Sequence, residues 1–97
     1  MAMEFVVRVK DVKGICPVFH VGDSFRLVDG YRLDSEIPLC MHALSAIMPF
    51  YNALRFCSPK DLGLGKADRA YIQCPDPAHC TDGGTVVFEI IRRDNER

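Results

Sequence analysis

One long apolar stretch limits what the chain can fold into. It covers residues 36–57, and only four of the residues between Leu39 and Phe56 are polar. Such a run predicts a helix that must be covered on more than one side. Pro49 lies in its middle and removes one intrahelical hydrogen bond, which predicts a kink or a break near Ala46. We therefore expect one central, proline-interrupted helix around which the other elements are arranged.

The segments outside this stretch predict a small β-sheet. Residues 4–10 alternate apolar and polar side chains, as a half-buried strand does. Two short alternating segments flank Asp29-Gly30, a dipeptide typical of tight hairpin turns. Residues 70–74 and 84–93 complete the set, and the last is rich in β-branched residues. The pattern predicts an α+β fold, in which a small antiparallel or mixed sheet of about four strands packs against the central helix.

Size and charge exclude several classes of protein. A chain of 97 residues is long enough for one hydrophobic core, so we expect a single domain over residues 1–97. The formal net charge of −1 gives no field that would attract nucleic acid or an anionic membrane. The sequence contains neither a transmembrane run nor an export signal at its start. We therefore expect a cytoplasmic protein that binds neither nucleic acid nor membrane.

The apolar stretch also predicts a protein partner. A four-stranded sheet covers only one side of a helix, and the remaining apolar side chains of this helix need a second cover. We expect that cover to be another copy of the chain, giving a homo-oligomer, or a different protein that binds through the helix.

Five cysteines are the most distinctive chemical feature of the sequence. An odd number cannot pair completely within one chain, and in a reducing compartment clustered thiols bind metal or react more often than they form disulfides. Cys16 and Cys74 each precede a proline, and Cys40 lies near the start of the predicted helix. Thiolate and imidazole are the preferred ligands of zinc, and thiolate is the usual ligand of iron–sulfur clusters.

These residues predict a metal or cluster site made from Cys16, Cys40 and Cys74, with His20 as an alternative or outer ligand. The cofactor would be zinc or an iron–sulfur cluster, and three cysteines would leave one coordination position open. No Cys-x-x-Cys pair occurs. The fold would therefore have to bring three separate segments together, and the proposed role is that of an accessory protein.

Two other functions fit the same residues. In a metal-free oligomeric interaction module the cysteines would fill the core, because free cysteine behaves as a small apolar side chain, and we assign Cys57 to this role. In a small cysteine-nucleophile enzyme His20 would activate Cys40, with Asp23 orienting the imidazole. The chain is short for a substrate cleft, which favours a protein without catalytic activity.

Several further polar residues are given structural roles. Asp23 follows Gly22 and is expected to close a turn through hydrogen bonds to backbone amides. His42 lies two residues from Cys40 on the predicted helix and should point to a different side. His79 and Cys80 are expected to be loop residues without a part in the site.

The order of the motifs resembles a family of small uncharacterised prokaryotic proteins that occur singly or as tandem repeats. The matching motifs are Cys-Pro-x-x-His-x-Gly-Asp at residues 16–23, Leu-Cys-x-x-Ala at residues 39–43, and Cys-Pro-Asp at residues 74–76. The resemblance implies that Cys16, His20, Cys40 and Cys74 hold motif positions, but it implies no activity. Phe19 stands where the family usually has glycine.

Overall fold

Six antiparallel strands form one sheet, and a helix packs on one face of it. The computed structural model describes residues 2–66 and 68–95, and all counts of elements refer to these. The strand order across the sheet is β3-β2-β1-β6-β5-β4. The elements in chain order are β1 (Ala2–Gly14), β2 (Ser24–Val28), β3 (Arg32–Asp34), α1 (Met41–Leu54), β4 (Gly65–Lys66), β5 (Arg69–Gln73), α2 (Ala78–Thr81) and β6 (Gly84–Asn95).

The prediction of about four strands around one central helix is wrong. The described part of the chain is mostly sheet, with six strands and two short helices. Strand β3 is the second strand of the predicted hairpin. The strand that the sequence did not predict is β4, which has two residues and is too short to show an alternating pattern. The centre of the fold is the pair β1 and β6, which are 13 and 12 residues long.

The apolar stretch forms a shorter helix than its sequence predicts. Helix α1 begins at Met41, and residues 35–40 before it are not helical. In this segment the hydroxyl of Ser35 donates a hydrogen bond to the carbonyl of Ile37 and accepts one from its N–H. The predicted break near Ala46 is also wrong, since α1 continues through Pro49 to Leu54. Proline has no N–H to donate to the carbonyl four residues earlier, that of Ser45. Pro49 is exposed, so water can reach this carbonyl.

The core lies between α1 and the covered face of the sheet. Phe5, Val7 and Val9 alternate toward α1 from β1, as the sequence predicts. Ile47 of α1 and Phe88 of β6 are completely buried at its centre. The remaining large side chains of this cluster come from the strands, the loop after β1 and the helix: Phe19, Phe25, Leu27, Tyr51, Leu54, Ile72 and Ile90.

The hairpin predicted at Asp29-Gly30 is confirmed. Strands β2 and β3 pair antiparallel, and both turn residues have positive φ angles, 60° at Asp29 and 88° at Gly30. Only glycine takes such a conformation without strain at position 30. A side-chain carbon there would also stand 3.1 Å from Nη2 of Arg55.

The opposite face of the sheet, which we call the open face, carries charged side chains. Glu4 of β1 accepts a hydrogen bond of 2.6 Å from Arg26 of β2, and Arg26 also bonds Asp34 of β3 at 3.1 Å. These contacts run across three neighbouring strands. The alternation of each strand therefore separates an apolar core face from a face held by ion pairs.

Glu89 is a buried carboxylate on the open face, only 2% exposed. Tyr71 donates a hydrogen bond of 3.0 Å to Oε2 of Glu89, and Arg69 donates one of 3.2 Å. Burial alone would raise the pKa of Glu89, but these two hydrogen bonds and the charges of Arg69 and Lys10 outweigh it and lower the pKa below its usual value. Glu89 is therefore held ionised.

Several apolar side chains of α1 and the following turn are exposed. Met41, Phe50 and Phe56 are 78%, 42% and 80% exposed. Their contact with a second copy or another protein stays a prediction. No helix in residues 2–66 and 68–95 has the length and apolar character needed to cross a membrane.

A matched pair of substitutions tests the core. Ile47→Val removes one buried methyl group and should lower the free energy of unfolding by about 1 kcal/mol. Ile15→Val makes the same chemical change at a side chain that is 78% exposed, and it should cost almost nothing. Urea unfolding followed by circular dichroism measures both, and equal effects would contradict the packing described.

Substitution of Glu89 should give a pH-dependent loss of stability. The lowered pKa means that the carboxylate stabilises the fold above its unfolded pKa of about 4.3, and that this contribution is lost as pH falls through the folded pKa. Glu89→Gln should therefore destabilise the protein near neutral pH and much less in acid. Urea unfolding at both pH values measures the difference. Glu36→Gln, at an exposed carboxylate, is the control, and a pH-independent loss in Glu89→Gln would contradict the pKa shift.

Candidate functional site

Three cysteines from distant parts of the sequence line one cavity. Cys16, Cys40 and Cys74 lie on the wall of a cavity of about 340 Å³, which we call the thiol pocket. Its lining is mainly apolar, and it lies between the loop after β1, the first turn of α1 and the connection from β5 to β6. The fold thus brings together the three segments that a site shared by these cysteines would require.

Cys16 is placed by the close approach of its loop to the start of β6. The N–H of Ile15 donates to the carbonyl of Gly83 at 3.2 Å. Gly84 is required next to it, because a side-chain carbon at that position would stand 2.7 Å from the backbone nitrogen of Cys16. The N–H of Phe19 donates to Sγ of Cys16 at 3.3 Å, which directs the sulfur back over its own loop.

Cys74 is held at the end of β5 by three contacts with the start of β6. Its N–H donates to the carbonyl of Val86 at 2.9 Å, and the N–H of Val86 donates to Sγ of Cys74 at 3.3 Å. The thiol in turn donates to the carbonyl of Gly84 at 3.6 Å. Cys74 is buried and belongs to the hydrophobic core cluster, so its sulfur forms the floor of the pocket.

Cys40 is the N-cap residue of α1. Its φ and ψ angles of −83° and 128° are extended, and its side chain makes no capping hydrogen bond. The N–H groups of the first helical turn have no partner within the helix, and the N-terminal end of a helix favours negative charge. The side chain of Cys40 lies on the wall of the thiol pocket.

His42 lines the same pocket as Cys40. The prediction that it points to a different side assumed a helix that already includes Cys40. Because α1 begins at Met41, Cys40 is outside the helix and His42 is the second residue inside it. Helical side chains lean toward the N-terminus, which brings this imidazole to the pocket. No sequence signal indicates this helix start, because cysteine is not one of the usual N-cap residues.

His20 stands apart from the thiol pocket. Its side chain is 84% exposed, with Nδ1 3.8 Å from the carboxylate of Asp23. It borders a separate, shallower cavity that Cys16 also touches. Asp23 accepts the N–H of His20 at 2.8 Å, so it closes a turn as predicted. The structure thus does not bring His20 to Cys40, the pair that a cysteine-nucleophile enzyme would need.

The other two cysteines do not reach the pocket. Cys57 is exposed, so its predicted role as core packing is wrong, and it borders a different cavity beside Phe56. Cys80 and His79 lie on the short helix α2 and are both exposed. These residues offer matched controls for experiments on the three pocket cysteines.

The side chains of the pocket are not arranged as a finished site for one metal ion. Among residues 2–66 and 68–95, no three cysteine, histidine, aspartate or glutamate side chains are placed to hold an ion together. Asp76 also lines the pocket, but its carboxylate accepts a hydrogen bond from the hydroxyl of Thr81. The arrangement offers three sulfurs around a cavity that can admit a small group.

Comparison of the chain with protein-family models, curated proteins and solved structures finds no match. The resemblance of its motifs to a prokaryotic family therefore stays a prediction. Any function has to be argued from the residues of the chain itself.

The burial of the cysteines predicts the order in which they react. Cys57 and Cys80 are exposed, whereas Cys74 is buried and hydrogen-bonded through its sulfur. Under native conditions N-ethylmaleimide should modify Cys57 and Cys80 first and leave Cys74 largely unmodified, because a buried thiol reacts only when the fold opens. Peptide mass spectrometry over time measures the order. Modification of Cys74 as fast as Cys57 would contradict its burial.

Proposed function

We propose that this chain is an accessory protein that binds a soft metal centre in the thiol pocket through Cys16, Cys40 and Cys74. The observation that carries the proposal is the convergence of these cysteines, from three distant segments, on one cavity. Packing alone does not require cysteine at three places around the same opening. Sulfur ligands select zinc, copper(I) and iron–sulfur clusters over hard cations such as magnesium.

The backbone around the sulfurs supports thiolate ligands. Sγ of Cys16 and Sγ of Cys74 each accept a backbone N–H at 3.3 Å, and Cys40 lies at the N-terminal end of α1. Hydrogen bonds of this kind stabilise negative charge on sulfur and tune the reduction potential of iron–sulfur clusters. Backbone N–H groups thus lie beside two of the three sulfurs, and the third cysteine stands at the start of a helix.

The size of the pocket favours an iron–sulfur cluster over a single zinc ion. Zinc holds its sulfur ligands at about 2.3 Å, so a zinc site draws four donors into a small, filled space. The thiol pocket has a volume of about 340 Å³. A cluster brings its own sulfide ions and spaces its cysteine ligands more widely, which suits three sulfurs on separate walls.

Binding would have to change the state of Cys74. Its sulfur now donates a hydrogen bond to the carbonyl of Gly84, so it is a thiol. A metal ligand must be deprotonated, and loading of the pocket should therefore release protons. The N–H of Val86 can keep its hydrogen bond to the sulfur in both states.

Core packing is the second candidate role of these cysteines. Cys74 is 7% exposed and lies within the core cluster, and Cys16 and Cys40 pack against that cluster in part. In that case the chain would be a metal-free interaction module, and its exposed apolar side chains would contact a second copy or another protein. The two roles differ in whether the three sulfurs take up metal.

Anaerobic reconstitution separates the two roles. The full chain is incubated with ferrous iron and sulfide, and in parallel with Zn²⁺, and the metal retained per chain is measured together with the visible spectrum. We expect a coloured protein with stoichiometric iron and sulfide. Cys16→Ser, Cys40→Ser and Cys74→Ser should each lose most of the iron, because each removes one ligand.

Cys57→Ser and Cys80→Ser are the controls, since both cysteines lie outside the pocket. They should retain as much iron as the unmodified chain. If the chain retains zinc but no iron, the pocket binds a single zinc ion and not an iron–sulfur cluster. A chain that retains neither metal, with five thiols that titrate freely after unfolding, would favour the metal-free module.

A further inference from the structure

We propose that the open face of the sheet is a docking surface for an acidic segment of another protein, and that Arg8 and Lys10 bind its carboxylates. Neither residue lines the thiol pocket, and the docking surface requires no metal. Failure of the proposed function would therefore leave this proposal intact. The occupant is an extended segment in which acidic side chains alternate with apolar ones.

The strand positions that face away from α1 carry an excess of basic side chains. Residues that stand opposite each other in neighbouring strands share one face of the sheet. Within residues 2–66 and 68–95, the strand registers place five arginines on the open face: Arg8, Arg26, Arg32, Arg69 and Arg93. Lys13 and Lys66 stand there too. The formal net charge of the whole chain is −1, so this excess belongs to one face and not to the chain as a whole.

The acidic side chains of the open face do not balance these cations. Among the described residues the strand registers place four acidic side chains there, and three of them already form ion pairs with arginines of the same face: Glu4, Asp34 and Glu89. The fourth is Asp11, which is exposed. One carboxylate is too few to neutralise the basic side chains that remain.

Arg8 and Lys10 are available to a partner at the centre of this face. Arg8 lies opposite Ser24 on one side and Glu89 on the other, and the charge of Lys10 acts on the same carboxylate. Glu89 is buried and already accepts a hydrogen bond from Arg69. Within residues 2–66 and 68–95 the exposed side chains of Arg8 and Lys10 form no hydrogen bond and no salt bridge. They can therefore bind carboxylates from outside without breaking such a contact.

The apolar side chains beside these cations favour a protein over a nucleic acid. Val6 stands opposite Ile91, and both are half-buried on the open face, where they can contact apolar side chains of an alternating segment. Sheets that bind single-stranded nucleic acid present exposed aromatic side chains on which bases stack. In the described strands the only aromatic residue of this face is Tyr71, which is half-buried and donates its hydroxyl to Glu89.

Fluorescence anisotropy with a synthetic peptide tests the docking surface. The probe is a short fluorescent peptide in which glutamate alternates with valine, titrated with the full chain at low ionic strength in the absence of metal. We expect saturable binding that weakens as salt is added, because salt screens exposed charges. Arg8→Gln and Lys10→Gln should each weaken binding about threefold, which is the effect of losing one exposed ion pair.

Lys60→Gln is the matched control. It makes the same change of charge at an exposed lysine in the loop after α1 and should bind the peptide as tightly as the unmodified chain does. Two control probes, a peptide with lysine in place of glutamate and a fluorescent oligonucleotide of thymidine, should bind much more weakly. Urea unfolding of each variant establishes that it is folded.

Four results would overturn the docking surface. The first is no saturable binding of the glutamate peptide, and the second is unchanged binding in both Arg8→Gln and Lys10→Gln. The third is equal weakening in Lys60→Gln, which would attribute binding to net charge alone. The fourth is tighter binding of the oligonucleotide than of the peptide, lost in Arg8→Gln, which would assign this face to nucleic acid.

Discussion

The antiparallel pairing of β1 with β6 is the constraint on which the rest of the structure depends. The register runs from Ala2 opposite Asn95 to Gly14 opposite Gly84, with one bulge between Val9 and Asp11. Because this ladder ends at Gly14 and Gly84, the loop that carries the first cysteine meets the connection that carries the last. A slip of one residue would turn the core-facing side chains of the slipped strand toward solvent and would shift the two loops relative to each other. The thiol pocket is thus a product of long-range register.

The two faces of the sheet are stabilised by different interactions. The covered face packs against α1 through apolar side chains, and the same packing fixes the end of the helix where Cys40 lies. The open face is organised by ion pairs, and burial of Glu89 there is compensated by hydrogen bonds from Arg69 and Tyr71. Loss of one partner of such a buried charge costs more than loss of a surface pair. None of the residues that line the thiol pocket takes part in these ion pairs.

Local signals in the sequence predicted local structure, and they failed where tertiary contacts decide. Alternation identified β1, a high content of β-branched residues identified β6, and Asp29-Gly30 identified the hairpin. Each of these signals rests on neighbouring residues alone. The strand count was wrong because β4 exists only through its pairing with β5. The helix start was wrong because Cys40 caps α1 without any side-chain hydrogen bond, which leaves no capping pattern to recognise. That single error also placed His42 on the wrong side. The three cysteines could be grouped by residue type, but their meeting at one cavity depends on the sheet.

The two shortest strands have a consequence for how copies of this protein behave at high concentration. The sheet ends at β3 on one side and β4 on the other, so its outermost strands have three and two residues. Such short edge strands offer few unpaired backbone N–H and C=O groups to which another strand could add. The long strands β1 and β6 lie inside the sheet, where five residues of each also pair with a second neighbour, β2 or β5. The two ends of the sheet therefore offer little opportunity for aggregation by strand addition.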